Sequence, residues 1–178
     1  MDALAGHILI VSGSPGSGKT TIAAALSRLP GCKKVHLHSD DFWGYIGTGH
    51  IDPWLPESDA QNRMIMQIAA EVAALYARNG YLVALDGVIR PWALEFYQAL
   101  GVPTHYLVLR TSVTEAVARC QARGGDSLTD PEVVAELHAQ FADLGPRERH
   151  VLDVGGLDQA ATLDAVVAAF ASGNYRLD

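Results

Sequence analysis

The sequence predicts an α/β domain in which a parallel β-sheet carries helices on both faces. Short runs of apolar, often β-branched residues alternate with longer segments of helical periodicity, which is typical of parallel sheets. The runs are almost continuously apolar, as expected for strands that are buried on both faces. A glycine-rich octet, GSPGSGKT at 13–20, separates the first run from the first helical segment.

The first half of the chain contains three predicted strands and two predicted helices. The strands are HILIVS (7–12), KVHLHS (34–39) and YLVALD (81–86). The first helix runs from Gly18 to Leu29 and ends before a Pro-Gly pair. Residues 41–57 are rich in glycine, proline and aromatic side chains and are predicted as a loop.

A long helix follows this loop. Its start is marked by SDAQ (58–61), which matches a capping box with Ser58 as the cap and Gln61 reaching back. Asn79 and Gly80 end it. Large apolar residues recur behind the cap at helical spacing: Met64, Ile65, Ile68, Val72, Leu75 and Tyr76.

The second half repeats the alternation. Pro91 suits the first turn of a short helix. Ser112 with Glu115 caps a helix that extends to about Arg123, and Thr129 with Glu132 begins another that extends to about Leu144. Between them GGDSL (124–128) is predicted as a mobile loop. The remaining elements are strands at 104–110 and 150–154 and a helix at 158–172.

Composition narrows the classes of protein that fit. The chain has 178 residues, 49% of them hydrophobic and 19% charged, which is typical of one globular domain. The net charge is -7, and general nucleic-acid binders normally present a basic face. Nucleic acid is therefore an improbable partner.

Location is predicted from three features. Cys32 and Cys120 have no metal or redox spacing, which favours free thiols in a reducing compartment. The start MDALAGH lacks the apolar region of a signal peptide, and no apolar run is long enough to span a membrane. We expect a cytoplasmic protein without a membrane partner, as a monomer or homodimer.

The octet matches GxxxxGK[ST], the phosphate-binding P-loop. Its glycines allow a tight turn whose amides face phosphate oxygens, and the following helix adds its positive end. Lys19 is expected to reach the β- and γ-phosphates, and the Thr20 hydroxyl to hold Mg²⁺. The predicted nucleotide-binding residues are Gly13, Ser14, Pro15, Gly16, Ser17, Gly18, Lys19, Thr20 and Thr21.

Other P-loop classes fit less well. A GTPase needs N-K-x-D, which is absent, and DVGG at 153–156 follows the last strand instead of an early one. A remodelling ATPase usually has a larger module. A nucleotide-binding switch without an acceptor and a 5'-hydroxyl polynucleotide kinase remain as alternatives to a small-molecule kinase.

Four stretches carry a resemblance to a known group: LIVSGSPGSGKTTIAAAL, VHLHSDDFW, YLVALDGV and LRTSVTEAVARCQARGG. Together they resemble the small bacterial P-loop kinases, which include chloramphenicol phosphotransferase, gluconate kinase and shikimate kinase. The resemblance implies a three-layer sandwich with a five-stranded parallel sheet in the order 2-3-1-4-5. It also implies Mg-ATP as donor, a small hydroxylated acceptor, an acceptor-side segment near 40–79 and a short helical lid near 119–135.

Carboxylates at two strand ends are the candidate chemical groups. The resemblance implies that Asp40, at the end of strand two, contacts the accepting hydroxyl and acts as base, although a turn or helix cap is the alternative for Asp40 and Asp41. Asp86 ends a buried strand in the Walker-B arrangement, and we expect it to hold Mg²⁺. His36 and His38 alternate on strand two and face one side.

Basic and aromatic residues complete the predicted site. Arg119 and Arg123 lie one helical turn apart, and the resemblance implies that they neutralise the transferring phosphoryl group. The remaining acceptor-binding candidates are Asp41, Trp43, Tyr45, Trp54, Arg63 and Arg90. The sequence thus favours an ATP-dependent kinase that phosphorylates a hydroxyl of a small metabolite or antibiotic.

Overall fold

A five-stranded, all-parallel sheet forms the centre of the structure, a computed structural model that describes residues 2–123 and 128–177. The spatial order is β2-β3-β1-β4-β5, which confirms the order 2-3-1-4-5. The strands are β1 Ile8–Gly13, β2 Lys34–His38, β3 Leu82–Gly87, β4 Thr104–Arg110 and β5 Val151–Asp153.

Helices cover both faces of this sheet. The helices are α1 Lys19–Arg28, α2 Asp41–Gly44, α3 Asp59–Arg78, α4 Leu94–Gln98, α5 Val113–Arg123, α6 Pro131–Ala139 and α7 Gln159–Ser172. The described residues also form 3₁₀ turns at Asp2–Leu4, Pro56–Ser58, Pro91–Ala93 and Gly145–His150. None of the described helices has the length and apolar composition needed to cross a bilayer.

The continuous apolar runs reflect burial on both sides. In β1, Ile8 and Ile10 belong to the core under α3 and α4, whereas Leu9 and Val11 belong to the core under α1 and α7. All four are fully buried. Because alternate side chains of a strand point to opposite faces, the middle of a strand that lies between two cores is apolar at every position.

The residues that α3 buries are mostly not the large apolar residues from which the helix was predicted. Small residues fill most of the contact with the sheet, with Ile65 and Met66 at its start. Ile68 and Leu75 are instead exposed. Alanine at the contact allows the helix axis to approach the strands closely, so the bulkier side chains lie toward solvent. The buried alanines are Ala69, Ala70, Ala73, Ala74 and Ala77.

The predicted loop at 41–57 and the predicted capping box are both corrected. α2 begins immediately after β2, and a 3₁₀ turn at Pro56–Ser58 leads into α3. This turn places Ser58 in the right-handed helical region, where its hydroxyl donates back to the carbonyl oxygens of Pro53 and Leu55. Gln61 pairs with the backbone of Ile51 and does not reach the cap.

The second half follows the predicted order with two differences. The capping box of α5 is confirmed, because the Glu115 amide donates to Ser112 Oγ and the Ser112 amide donates to Glu115 Oε2. Asp130, not Thr129, caps α6, and α6 ends at Ala139 instead of about Leu144, ahead of a separate 3₁₀ turn at Gly145–His150. Most of the predicted GGDSL loop, 124–127, lies outside the described residues.

A pair of histidines at the amino-terminal edge of the sheet predicts acid sensitivity. His105 is 3% exposed, and its Nε2 lies 3.1 Å from Nδ1 of His7. Burial, then the neighbouring His7 and Arg176, lower the pKa of His105 from 6.5 to about 4. In the unfolded chain His105 binds a proton below about pH 6.5, whereas in the folded chain it binds one only near pH 4. Acid therefore favours the unfolded state between these pH values.

The melting temperature should fall as the pH drops through this window, and it should fall less steeply in a His105→Asn variant. Each kcal/mol lost on protonation corresponds to about 2–4 °C for a chain of this size. Thermal unfolding between pH 7.5 and 4 checks this by comparing the two slopes. Parallel slopes would show that another group causes the acid sensitivity.

Candidate active site

The P-loop connects the central strand to α1. β1 ends at Gly13 and α1 begins at Lys19, so the turn lies at the carboxyl end of the sheet. Gly16 has φ +77°, and a Cβ there would lie 2.3 Å from the backbone oxygen of Ala116 in α5. Only glycine therefore fits where the P-loop contacts α5.

Lys19 is held inside this turn. Its side chain is almost fully buried, and Nζ donates to the backbone oxygen of Ser14 at 3.3 Å. Burial lowers the pKa of the Lys19 ammonium, while the nearby carboxylates of Asp40 and Asp86 oppose that shift. Two carboxylates thus stabilise the positive charge at the position predicted for phosphate contact.

Asp86 lies beside Thr20, as the Walker-B hypothesis requires. Strand register pairs Asp86 with Val11 of β1 on one side and with His38 of β2 on the other. The Thr20 hydroxyl donates to Asp86 Oδ2 at 2.6 Å, and the carboxyl residue is fully buried. The two oxygen groups proposed to hold magnesium are therefore adjacent.

Two histidines also contact the Asp86 carboxylate. His36 Nε2 lies 2.6 Å from Oδ1, and His38 Nδ1 lies 2.9 Å from Oδ2. Burial alone would raise the pKa of Asp86, but hydrogen bonds from His36, His38 and Thr20 outweigh it and hold the pKa far below its ordinary value. The hydrogen bond to Asp86 is likewise the largest cause that raises the pKa of His38.

The donor set fits magnesium through Asp86 and Thr20. A fully buried, ionised carboxylate next to a P-loop hydroxyl provides the hard oxygen atoms that Mg²⁺ prefers. Within residues 2–123 and 128–177, no group of three His, Cys, Asp or Glu side chains is arranged as a metal cage. Asp86 and Thr20 are the residues that would hold the ion.

Asp40 lies next to this group and faces a cavity. His38 joins the two strand ends, because its Nε2 lies 3.7 Å from Asp40 Oδ2. Asp40 occupies the N-cap position of α2, yet its side chain makes no capping hydrogen bond, which disfavours the helix-cap interpretation. A Cβ at Gly87 would lie 1.8 Å from Ser39 Oγ, so glycine permits β2 and β3 to end this close together.

A cavity of about 830 Å³ extends from the P-loop across these strand ends. On its P-loop side it is lined by Pro15, Gly16, Gly18, Lys19 and Thr20. Five of the sequence-predicted residues beyond the P-loop also line this cavity: Asp40, Trp43, Trp54, Arg90 and Arg123. Asp86 and Thr20 meet at this end of the cavity, so the predicted nucleotide and acceptor sides share one space.

Three predicted acceptor-binding residues do not line this cavity. Arg63 donates to Glu95 at 2.6 Å and packs over Phe96, on the far side of α3. Tyr45 is 77% exposed and contacts Phe42 edge-on. Asp41 is exposed in the first turn of α2. The structure does not bring these three side chains to the site.

The two predicted lid arginines occupy different places. Arg123 lines the cavity. Arg119 Nη1 instead donates to the backbone oxygen of Gly16 at 3.5 Å, and Nη2 lies 3.8 Å from Glu115. Thr21, predicted with the P-loop, is exposed on α1 and does not line the cavity. Arg119 therefore contacts the P-loop backbone, while Arg123 lines the cavity.

Several cavity residues were missed from the sequence. They are His50, Asp52, Asp59, Asn62, Trp92 and Gln140. Trp92 follows Pro91 just as Trp54 follows Pro53, and that repeated Pro-Trp pair was an available signal. No sequence signal identifies Gln140, because it reaches the cavity only through the position of α6 in the fold. Its Oε1 accepts a hydrogen bond from Arg90 at 3.0 Å.

Curated relatives match part of a longer chain. A protein of Mycobacterium tuberculosis strain H37Rv, "Uncharacterized protein Rv2004c", is 30% identical over 167 residues, and a Mycobacterium bovis protein matches equally. The alignment covers 82% of this chain but 33% of the relative. The chain thus spans about a third of the length of the curated relatives it matches.

Solved structures share the fold at low sequence identity. A gluconokinase from Sinorhizobium meliloti 1021 has a TM-score of 0.70 and 16% identity, covering 93% of this chain and 92% of its own. A tunicamycin resistance protein from Deinococcus radiodurans has a TM-score of 0.63 and 19% identity, covering 92% and 94%. The Mycobacterium tuberculosis APS kinase CysC, in complex with AMPPNP and APS, has a TM-score of 0.63 and 15% identity, covering 94% and 96%.

The family is assigned by a match to the AAA_33 model, an AAA domain, over residues 8–144. This range includes the P-loop, both strand-end carboxylates and both arginines of α5. The matched segment, together with the sheet order and the neighbouring structures, confirms the resemblance to small P-loop kinases. The chain belongs to the AAA_33 family and has the P-loop kinase fold.

Proposed function

We propose that the protein transfers the γ-phosphoryl group of Mg-ATP to a hydroxyl of a small metabolite or antibiotic. The observation that carries the proposal is one continuous cavity that joins the P-loop to Asp40. The carboxylate of Asp40 makes no helix-capping hydrogen bond. A nucleotide switch without an acceptor needs no such space beyond its phosphates. The net charge of -7 also disfavours a polynucleotide kinase, because nucleic-acid binders normally present a basic face.

On the nucleotide side, the chain supplies fixed positive charge. Lys19, the P-loop amides and the amino end of α1 face the phosphates, and Arg123 adds a guanidinium from α5. Asp86 and Thr20 would hold magnesium, which supplies neutralising charge on phosphate oxygens when bound. Most of the rate enhancement then comes from positioning and electrostatics, as is usual for phosphoryl transfer.

On the acceptor side, Asp40 orients the attacking hydroxyl and takes its proton. The acceptor oxygen forms a bond to the γ-phosphorus, the bond to the β–γ bridging oxygen breaks, and ADP leaves. His38 contacts Asp86 and lies 3.7 Å from Asp40, so it helps to fix the carboxylate that receives the proton. Kinases among the structural neighbours, including one bound to AMPPNP, support ATP as the donor.

An ADP-release screen tests the proposal. Purified protein with Mg-ATP is challenged with sugars, polyols, nucleosides, amino alcohols and hydroxylated antibiotics. A sharp rise in ADP with one class of hydroxyl compound, together with a phosphorylated product in mass spectrometry, is the expected result. Slow turnover that no hydroxyl compound raises contradicts the proposal. Oligonucleotide binding that weakens steeply with salt would favour the polynucleotide alternative.

Replacing Arg123 with alanine should lower kcat by about 10²–10³-fold while changing the KM for ATP much less. The reason is that the charge it meets is greatest in the transition state. Steady-state kinetics at varied ATP measure this split. Arg28→Ala, at the exposed end of α1, is the matched control. A defect confined to the KM for ATP would make Arg123 a clamp for the bound nucleotide.

A further inference from the structure

We propose that the acceptor is a hydroxylated cation, a small molecule with at least one ammonium group, protonated or quaternary, besides its hydroxyl groups. This inference rests on the proposed function and narrows it. It comes from the acceptor-side wall, which we define as the cavity-lining residues between 40 and 62 and between 88 and 92. Three carboxylates and three tryptophans share that wall.

The charges on this wall are predominantly negative. Among the described residues, it carries Asp40, Asp52 and Asp59 against one guanidinium, Arg90, which donates to the neutral Gln140. His50 lies 3.9 Å from Asp52, too far for a strong hydrogen bond. An anionic acceptor would meet net repulsion here, whereas an ammonium group would be attracted.

The aromatic residues favour the same class of ligand. All three tryptophans of the chain, Trp43, Trp54 and Trp92, line this one cavity. Trp54 is 63% exposed, which leaves a large apolar ring uncovered on a wall that also carries three carboxylates. Ammonium groups bind over indole rings because the ring face is negative, and the attraction grows when a site excludes water. A wall that combines carboxylates with indole rings is therefore suited to a cation.

The wall is held in place by side chains of α3. Asn62 Nδ2 donates to the Pro53 oxygen at 2.8 Å, and its Oδ1 accepts from Trp43 Nε1 at 3.1 Å. Gln61 pairs with both backbone groups of Ile51, at 2.9 and 2.6 Å. These bonds fix the loop that carries Asp52 and Trp54, so little ordering remains to be done when a ligand binds.

Asp52 is the carboxylate that decides between the possible acceptors. Asp59 lies in the first turn of α3, where a carboxylate is already stabilised by the helix dipole, and Asp40 is assigned to the hydroxyl. Asp52 precedes the 3₁₀ turn and has no such structural role. A neutral polyol that covered the wall would leave the Asp52 charge with only the distant ring of His50, 3.9 Å away.

Binding is measured through tryptophan fluorescence, which reports only on this cavity. Three matched sets are titrated: glucosamine with glucose and gluconate, 2-amino-1,3-propanediol with glycerol and glycerate, and choline with 3,3-dimethyl-1-butanol. In at least one set we expect the cation to bind about fivefold or more tighter than its neutral partner, with the anion weakest. Asp52→Asn should remove most of that preference, and Asp164→Asn, exposed on α7, should leave it unchanged.

Several outcomes would overturn the inference. The inference is overturned if, in every set that responds, the neutral or anionic compound binds as tightly as the cation or more tightly. It is also overturned if none of the cations binds. A cation preference that survives Asp52→Asn would overturn the role of that residue. The proposed function fails separately, when no hydroxyl compound of any charge raises ADP release. If a neutral compound is phosphorylated, the proposal of a cationic acceptor is refuted and the proposed kinase activity stands.

Discussion

Replacing Lys19 with alanine is expected to abolish phosphate transfer, with a loss of at least about 10²-fold in kcat and weaker binding of ATP. No other lysine can substitute for it. Lys34 donates to backbone carbonyls between Leu29 and Cys32, and Lys33 packs over the ring of Tyr81. Neither of them lines the cavity.

ADP release and ATP binding are measured for Lys19→Ala beside Lys33→Ala, which should behave as the unmodified protein. Thermal unfolding of the variant must also be followed. The fold should persist, because the buried carboxylate of Asp86 keeps its contacts with Thr20, His36 and His38 and is not left without partners. Near-normal phosphorylation by a folded Lys19→Ala protein would refute the assignment of the P-loop to phosphate.

Strand positions were predictable because the sheet is buried on both faces. β4 begins and ends at the predicted residues, and the other strands differ by about one residue at each end. A strand such as Ile8–Gly13 needs apolar side chains toward two cores, and few other local structures require this. The order of the strands, by contrast, came from resemblance and not from the residues themselves.

Helix faces and caps were less predictable, because they depend on neighbours. The buried face of α3 is mostly alanine. A search for large apolar residues at helical spacing does not detect alanine, so it did not identify this face. Ser58 does not act as a cap, because it lies inside the 3₁₀ turn Pro56–Ser58 and its hydroxyl donates to the nearby carbonyl oxygens of Pro53 and Leu55. Tertiary packing thus selected the buried face of α3, whereas a competing local hydrogen bond replaced the predicted cap.

The site was predicted best where one motif supplies the whole geometry. The P-loop needs only its own residues, so its position after β1 followed directly from the octet. Asp86 and Thr20 are 66 residues apart, and their contact depends on β3 lying beside β1. The contacts of His36 and His38 with Asp86 depend in turn on β2 lying beside β3, which alternation on β2 alone does not specify.

Asp40 and Asp86 should fail in different ways when each is replaced by asparagine. Asp40→Asn should retain Mg-ATP binding and lose transfer by roughly 10²–10⁴-fold if Asp40 acts as a general base. A smaller loss is expected if it only orients the hydroxyl, because a loose phosphoryl transition state asks little of a base. Asp86→Asn should instead raise the magnesium concentration needed for half-maximal rate.

The geometry gives the reason for this difference. Asp86 is fully buried and contacts the Thr20 hydroxyl, so its charge acts on the side of the P-loop and the metal. Asp40 is half exposed on the wall that also carries the tryptophans, so its charge acts on the acceptor. His38 contacts Asp86 and lies near Asp40, and its removal should therefore disturb both readouts.

A magnesium titration of both variants at saturating ATP separates the two roles, and His38→Asn serves as the intermediate case. The midpoint should shift for Asp86→Asn, should not shift for Asp40→Asn, and should shift partly for His38→Asn. A shifted midpoint in Asp40→Asn with an unchanged one in Asp86→Asn would reverse the assignments. The metal would then belong to the end of β2, and the buried carboxylate of β3 would serve only to orient its two histidines.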